Sequence, residues 1–171
     1  MSERPPIFKT ILIGEGGVGK TSLTLRYTED TFDEAMKMTI GVNFASKKIN
    51  VDNTDVNLIL WDLGGQPRFR DIVGDYFRGA KAAICVYDAT RYISLDHLRE
   101  WIGRVKENSP NCKLLFVANK IDQRVDGTGV TQEAGLAFAQ EFDAPMMEVS
   151  AKTGEGVIEM FESLTRMLLG T

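Results

Sequence analysis

An apolar run from Ile7 to Ile13 passes directly into Gly14-Glu15-Gly16-Gly17-Val18-Gly19-Lys20-Thr21, and Lys20 to about Glu29 continues at helical spacing. The loop matches G-x-x-x-x-G-K-[S/T] and lies between a strand and a helix, the context this motif requires. Glycines let a backbone wrap closely around phosphate with its N–H groups pointing inward. The start of the helix adds the positive end of its dipole. Lys20 is expected to reach the β- and γ-phosphates of a nucleotide and Thr21 to ligate Mg²⁺. Glu15, Gly16, Gly17, Val18 and Ser22 complete the cradle.

The rest of the chain alternates strands with helices. Phe44 to Val51 reads as a half-exposed strand and Val56 to Trp61 as a denser one. They flank Asp52-Asn53-Thr54-Asp55, a turn-rich segment that suggests an antiparallel hairpin. Ala82 to Tyr87 and Leu114 to Ala118 are short, nearly continuous apolar runs, as in central strands covered on both faces. Met146 to Val149 is a last short strand. Arg68 to Arg78 looks helical but irregular. Leu95 to Glu107, Thr131 to Phe142 and Gly156 to Leu169 are amphipathic helices. The reading is therefore an α/β fold in three layers. It has six strands, mostly parallel with one antiparallel edge strand, and about five helices. With 171 residues and no linker or repeat, 1–171 reads as one domain.

Ligands in such sheets bind beyond the carboxyl ends of the strands, so the polar residues following each strand carry the functional information. After the third strand comes Trp61-Asp62-Leu63-Gly64-Gly65-Gln66. A strand-end Asp62 can hold Mg²⁺, Gly65 can offer its N–H to a γ-phosphate, and Gln66 lies where an attacking water would sit. After the fifth comes Asn119-Lys120-Ile121-Asp122. A carboxylate at Asp122 can accept two hydrogen bonds from guanine, a donor pair that adenine lacks, and Lys120 would lay its stem along the base. The last strand leads to Ser150-Ala151-Lys152, where the Ala151 N–H could meet the guanine carbonyl. Thr39, in Thr39-Ile40-Gly41-Val42-Asn43-Phe44, can join the Mg²⁺ shell only when a γ-phosphate is present, which ties loop order to nucleotide state.

Other side chains read as bland. The net charge of −4 and the absence of a dense Lys/Arg run argue against nucleic acid as a partner. Arg68, Arg70 and Arg78 are interleaved with Asp71 and Asp75, as on a solvated helix face. Cys85 sits in an apolar run, Cys112 stands alone in a turn, and neither has metal-ligand or disulfide spacing. His97, the only histidine, reads as structural or solvated.

These five elements, in this order, resemble the Ras superfamily of small GTPases over roughly residues 7 to 169. The segments Thr39 to Phe44, Arg68-Phe69-Arg70, Tyr76-Phe77-Arg78-Gly79-Ala80 and Val86-Tyr87-Asp88 are similar to Rab-type segments. The resemblance implies a P-loop GTPase fold and a GTP/GDP switch with slow, Mg²⁺-dependent hydrolysis in membrane trafficking or signalling. It implies that Phe32 packs edge-on to guanine, that residues about 33 to 44 form switch I, and that about 64 to 78 form switch II. Effectors, GTPase-activating proteins and exchange factors would dock on the switches and on Phe44, Trp61 and Tyr76, which in Rab proteins form an exposed aromatic patch. One departure stands out. Gly64-Gly65-Gln66 looks like the Arf family, and Pro67 replaces an acidic residue that often assists nucleotide exchange. The chain reads as a cytoplasmic monomer, reaching a membrane peripherally only through a tail beyond Thr171. The same motifs would serve a GTP-dependent scaffold with negligible hydrolysis, which a phosphate-release assay distinguishes. A P-loop ATPase or nucleoside kinase is disfavoured by Asn119 to Asp122.

Overall fold

In the computed structural model, residues 4–36, 41–63 and 74–170 are described, the side chain of Asp75 excepted. The first strand, β1 (Ile7–Ile13), lies in the middle of the sheet. On one side it runs parallel to β3 (Thr54–Leu63), which pairs antiparallel with the edge strand β2 (Val42–Val51). On the other side it runs parallel to β4 (Ala82–Asp88), followed by β5 (Lys113–Asn119) and β6 (Met146–Glu148). The sheet thus has six strands in the order β2-β3-β1-β4-β5-β6, all parallel except β2.

The helices are α1 (Lys20–Glu29), α2 (Gly74–Phe77), α3 (Tyr92–Asp96), α4 (Leu98–Asn108), α5 (Gln132–Gln140) and α6 (Val157–Leu169). A 3₁₀ turn covers Ile121–Gln123. The expected helix from Leu95 to Glu107 is two pieces that meet at His97. The hairpin turn is tighter than the four residues expected. Asp52 and Asn53 both take positive φ, 53° and 62°, so two residues reverse the chain and the strands extend to Val51 and Thr54. Thr131 caps α5 by accepting from the Ala134 N–H. Of the expected helix from Arg68 to Arg78, residues 68–73 lie outside the described residues.

Alternation along the strands decides which side chains meet which layer. Ile11 and Ile13 of β1 join Ala83, Cys85 and Tyr87 of β4 in a core closed by Leu95, Leu98, Trp101 and Phe138. Leu12 joins Leu58, Ile84 and Val117 on the opposite face, under Leu23, Met160, Phe161 and Leu164. Burial pushes the Cys85 thiol well above its ordinary range, which fits the inert role read from its neighbours.

Tyr27 of α1 stacks on Phe161 of α6, centroids 3.9 Å apart and 7° from parallel. Truncating a buried Phe to Ala costs about 3–5 kcal/mol. Phe161→Ala is expected to lower the melting temperature by about 10 °C with nucleotide concentration held fixed, measured by calorimetry. A shift under about 3 °C would mean that this face is not a packed core.

Candidate nucleotide-binding site

The parallel strands end at one edge, and the loops that follow converge there. Asp62 stands in register with Leu12 of β1, and Asp88 with Asn119. The loop after β1 presses directly on the end of β4. Gly14 has φ +144°, and a Cβ on it would collide with the Val86 carbonyl. Gly19 has φ +99°, and a Cβ there would collide with the Asn119 amide. Both positions exclude side chains for steric as well as conformational reasons.

Lys20 opens α1 and is buried, and its Nζ donates to the carbonyls of Gly14 at 2.9 Å and Glu15 at 3.0 Å. Burial pulls its pKa down to about 8, a shift opposed by the carboxylates of Asp62 and Glu15. Asp62 is 1% exposed, and its pKa is raised by burial against the Thr21 hydrogen bond and the Lys20 charge. Thr21 donates its hydroxyl to Asp62 Oδ2. Oδ1 is buried without a hydrogen-bond partner among the described residues. A hydroxyl oxygen beside a carboxylate oxygen with open lone pairs is a hard-oxygen donor set suited to Mg²⁺.

Asn119 ties the loops together. Its Nδ2 donates to the Val18 carbonyl at 3.0 Å, and its Oδ1 accepts from the Ala151 N–H at 3.0 Å. Lys120, at φ 67°, donates to the Gly17 carbonyl at 2.7 Å and lies 3.4 Å from Asp88. Ser150 donates to Asp122 at 2.7 Å, leaving that carboxylate at the edge of the cavity. The cavity measures about 540 Å³, and Gly16, Thr21, Phe32, Met36, Asp122 and Lys152 are among its walls.

The candidate residues Gly14, Gly16, Gly17, Val18, Gly19, Lys20, Thr21, Ser22, Phe32, Asp62, Asn119, Lys120, Asp122, Ser150, Ala151 and Lys152 therefore gather at one place. Thr39, Gly65 and Gln66 lie outside the described residues, as do Gly64 and Pro67. Two placements differ from the sequence reading. The Ala151 N–H, aimed there at a guanine carbonyl, donates to Asn119. The Glu15 side chain turns away from the cavity, with Oε2 2.5 Å from His97 Nδ1. His97, read as structural or solvated, thus touches the phosphate loop.

Three contributors were missed. Arg26 donates to the Ala151 carbonyl at 2.8 Å and to that of Lys152 at 2.7 Å, fastening α1 to the last loop. Nothing in the spacing of Arg26 pointed there. Arg91 lies 2.9 Å from Glu15. Asp88, 3% exposed, accepts from the Thr90 N–H and hydroxyl at 2.8 and 2.6 Å. Its position at a strand end was a usable signal. Across the β2–β3 pair, Phe44 and Trp61 form with Tyr76 a chain of rings with centroid spacings of 4.6 and 5.8 Å, and Lys9 Nζ sits 3.6 Å from the Trp61 ring centroid.

The fold and loops are those of a P-loop nucleotide-binding protein, and comparison with known sequences sharpens the class. The Ras family model matches residues 9–170. The Ras-related protein Rab-18 of Caenorhabditis briggsae is 42% identical over 165 residues, 95% of this chain and 81% of that protein. The Ras-related protein Rab-1 of Theileria annulata is 40% identical over 171 residues, 98% of this chain and 77% of its own. The Ras-related protein Rab-18-B of Danio rerio is 41% identical over 165 residues, again 95% of this chain, and 80% of its own length. The chain belongs to the Ras family and is a Rab-like small GTPase, an enzyme that hydrolyses GTP to GDP and phosphate. Proteins of this family bind GTP or GDP with Mg²⁺, and the Thr21–Asp62 donor set fits that ion.

The buried amine of Lys20 sets a pH dependence. It loses its proton near pH 8 in the folded protein and near 10.5 when unfolded. Between these values the unfolded chain holds more protons, so stability rises with pH. A polyphosphate beside Nζ favours the charged amine. Nucleotide binding is therefore expected to take up as much as about one proton at pH 8.5 and none through Lys20 at pH 7, with affinity falling as pH rises above about 8. Calorimetry in two buffers of different protonation enthalpy measures this. Zero uptake at pH 8.5 would show that Lys20 stays charged in the folded protein.

Proposed function

We propose that this chain, as one G domain, is a guanine-nucleotide switch with slow intrinsic hydrolysis, acting in membrane trafficking or signalling through partners that distinguish its GTP and GDP forms. The observation that carries this reading is the Asn119 bridge. It places the phosphate loop, the Asp122 carboxylate and the Ser150–Lys152 loop around one cavity.

In this reading the loop N–H groups from Gly14 to Gly19 and the Lys20 amine hold the β- and γ-phosphates, with Ser22 at the start of α1. Phe32 packs at the edge of the base, and Lys120 and Lys152 lie along it. Asp122, oriented by Ser150, accepts from the guanine ring N–H and amine. Ala151 reaches the guanine carbonyl by sharing or releasing its bond to Asn119. Thr21, Asp62 and, in the GTP form, Thr39 would hold Mg²⁺, which would supply positive charge to the phosphates. Gly65 donates to the γ-phosphate, and Gln66 orients the attacking water. Among the described residues, no arginine lines the cavity. That supports slow turnover, on the order of the 10⁻⁴ per second of Ras, and acceleration by an arginine from a partner.

In this reading the exposed rings of Phe44 and Tyr76 belong to switch I and switch II. Effectors, GTPase-activating proteins and exchange factors would engage this surface, and a population shift between the nucleotide states gives them their preference. Pro67, after the Arf-like Gly64-Gly65-Gln66, favours an exchange factor that does not depend on an acidic residue at that position. No helix among the described residues is long and apolar enough to cross a membrane, so membrane contact in this reading is peripheral.

Two mutants test the assignments. Gln66→Leu is expected to slow single-turnover phosphate release by about an order of magnitude with GTP still bound. An unchanged rate removes Gln66 from the chemistry. Asp122→Asn is expected to weaken GTP binding by about 10- to 100-fold and to improve binding of xanthosine triphosphate. Equal affinity of the parent protein for ATP and GTP would end the guanine assignment.

A further inference from the structure

The second residue of the phosphate loop is an acid, which is an unfavourable charge to place beside a polyphosphate. Its environment shows how that charge is managed. The Glu15 side chain is 12% exposed and points out of the cavity toward the connection between β4 and α4. Its Oε2 lies 2.5 Å from Nδ1 of His97, at the joint of α3 and α4. A carboxylate only accepts, so Nδ1 carries the hydrogen in this bond. Its Oε1 lies 2.9 Å from Nη1 of Arg91, which caps the start of α3. That second contact is an ion pair whose N–H is not aimed as a hydrogen bond. The same residue accepts the Lys20 amine on its backbone carbonyl at 3.0 Å. Glu15 is thus held from two sides, its side chain by α3 and its peptide by the lysine that faces the phosphates.

We propose that Arg91 and His97 are positioning residues for nucleotide retention: both hold the Glu15 carboxylate out of the phosphate cradle, His97 by a hydrogen bond and Arg91 by an ion pair that neutralises it. The loop N–H groups and Lys20 then face the polyphosphate without an opposing charge. This rests on the reading of Gly14 to Thr21 as the phosphate cradle. The side chains of Arg91 and His97 are 49% and 38% exposed, so solvent screens them and the effect is moderate. The pairing makes a specific double-substitution signature. Removing the Arg91 guanidinium leaves the carboxylate without its charged partner near the phosphates, and removing the carboxylate as well relieves that repulsion. A contact that only held the loop in shape would be lost with either partner, leaving the double variant as fast as Arg91→Gln alone.

The experiment loads the purified full chain with fluorescent methylanthraniloyl-GDP and Mg²⁺ and follows release into excess GDP at low salt. Arg91→Gln is expected to release about 3- to 10-fold faster than the parent, and Arg91→Lys, which keeps the charge, to restore slow release. Arg91→Gln combined with Glu15→Gln is expected to recover most of the loss. His97→Ala and His97→Gln give an independent comparison, the second keeping an N–H donor and releasing more slowly than the first. Release from both Arg91→Gln and His97→Ala at the parent rate overturns the proposal. So does a double variant as fast as, or faster than, Arg91→Gln alone. A parent protein that binds no fluorescent GDP instead overturns the reading of the cradle.

Discussion

The site depends on one buried amide. Asn119 is 2% exposed and sits at the carboxyl end of β5, where its donor reaches the loop after β1 and its acceptor reaches the loop after β6. A buried amide group left without a partner costs about 1–3 kcal/mol, so the two loops are held in a fixed relation by the same side chain. Gly19 is kept bare by this residue, since any Cβ there would strike the Asn119 amide. Lys120, Asp122 and Ser150 take their places around that bridge.

A second constraint is electrostatic. The strand order puts Asp62 beside the end of β1, and α1 begins with Lys20, so an acid and a base are buried against the same loop. Burial moves both pKa values toward the neutral forms, Lys20 down and Asp62 up, and each partly restores the other. Bound phosphate and a divalent cation would relieve both groups at once. An arrangement that is uncomfortable in the bare protein would favour binding of a nucleotide and a divalent cation there. Glu15 adds a third charge to the same loop, and its pairing with Arg91 and His97 extends the charge balance to α3 and α4.

The aromatic chain Phe44–Trp61–Tyr76 shows how the sheet links this site to its surroundings. Phe44 and Trp61 are opposed in the antiparallel β2–β3 pair, and Trp61 immediately precedes Asp62. A surface available to partners and a buried site acid therefore share one strand, one residue apart. Because side chains alternate along a strand, one faces outward where its neighbour faces the core. Movement of this strand end would be felt on both sides, which is the physical requirement for a binding surface that reads the bound nucleotide.

Sequence alone determined the order of elements and the identity of most residues around the cavity. A strand that runs into Gly14–Thr21, and the polar tripeptides and tetrapeptides after later strands, are local signals whose spacing is set by backbone geometry. Trp61 shows the limit of such signals: the resemblance put it in an exposed patch, and in the fold it is half-buried between Phe44 and Tyr76. Only the tertiary structure decided that Arg26 fastens the Ala151 and Lys152 carbonyls, that the Ala151 N–H is given to Asn119, and that the one histidine touches the phosphate loop. These contacts join residues 32 to 126 positions apart. Long, flexible side chains such as Arg26 and Glu15 can reach many partners, and their spacing along the chain carries no record of which one the packed sheet brings within reach.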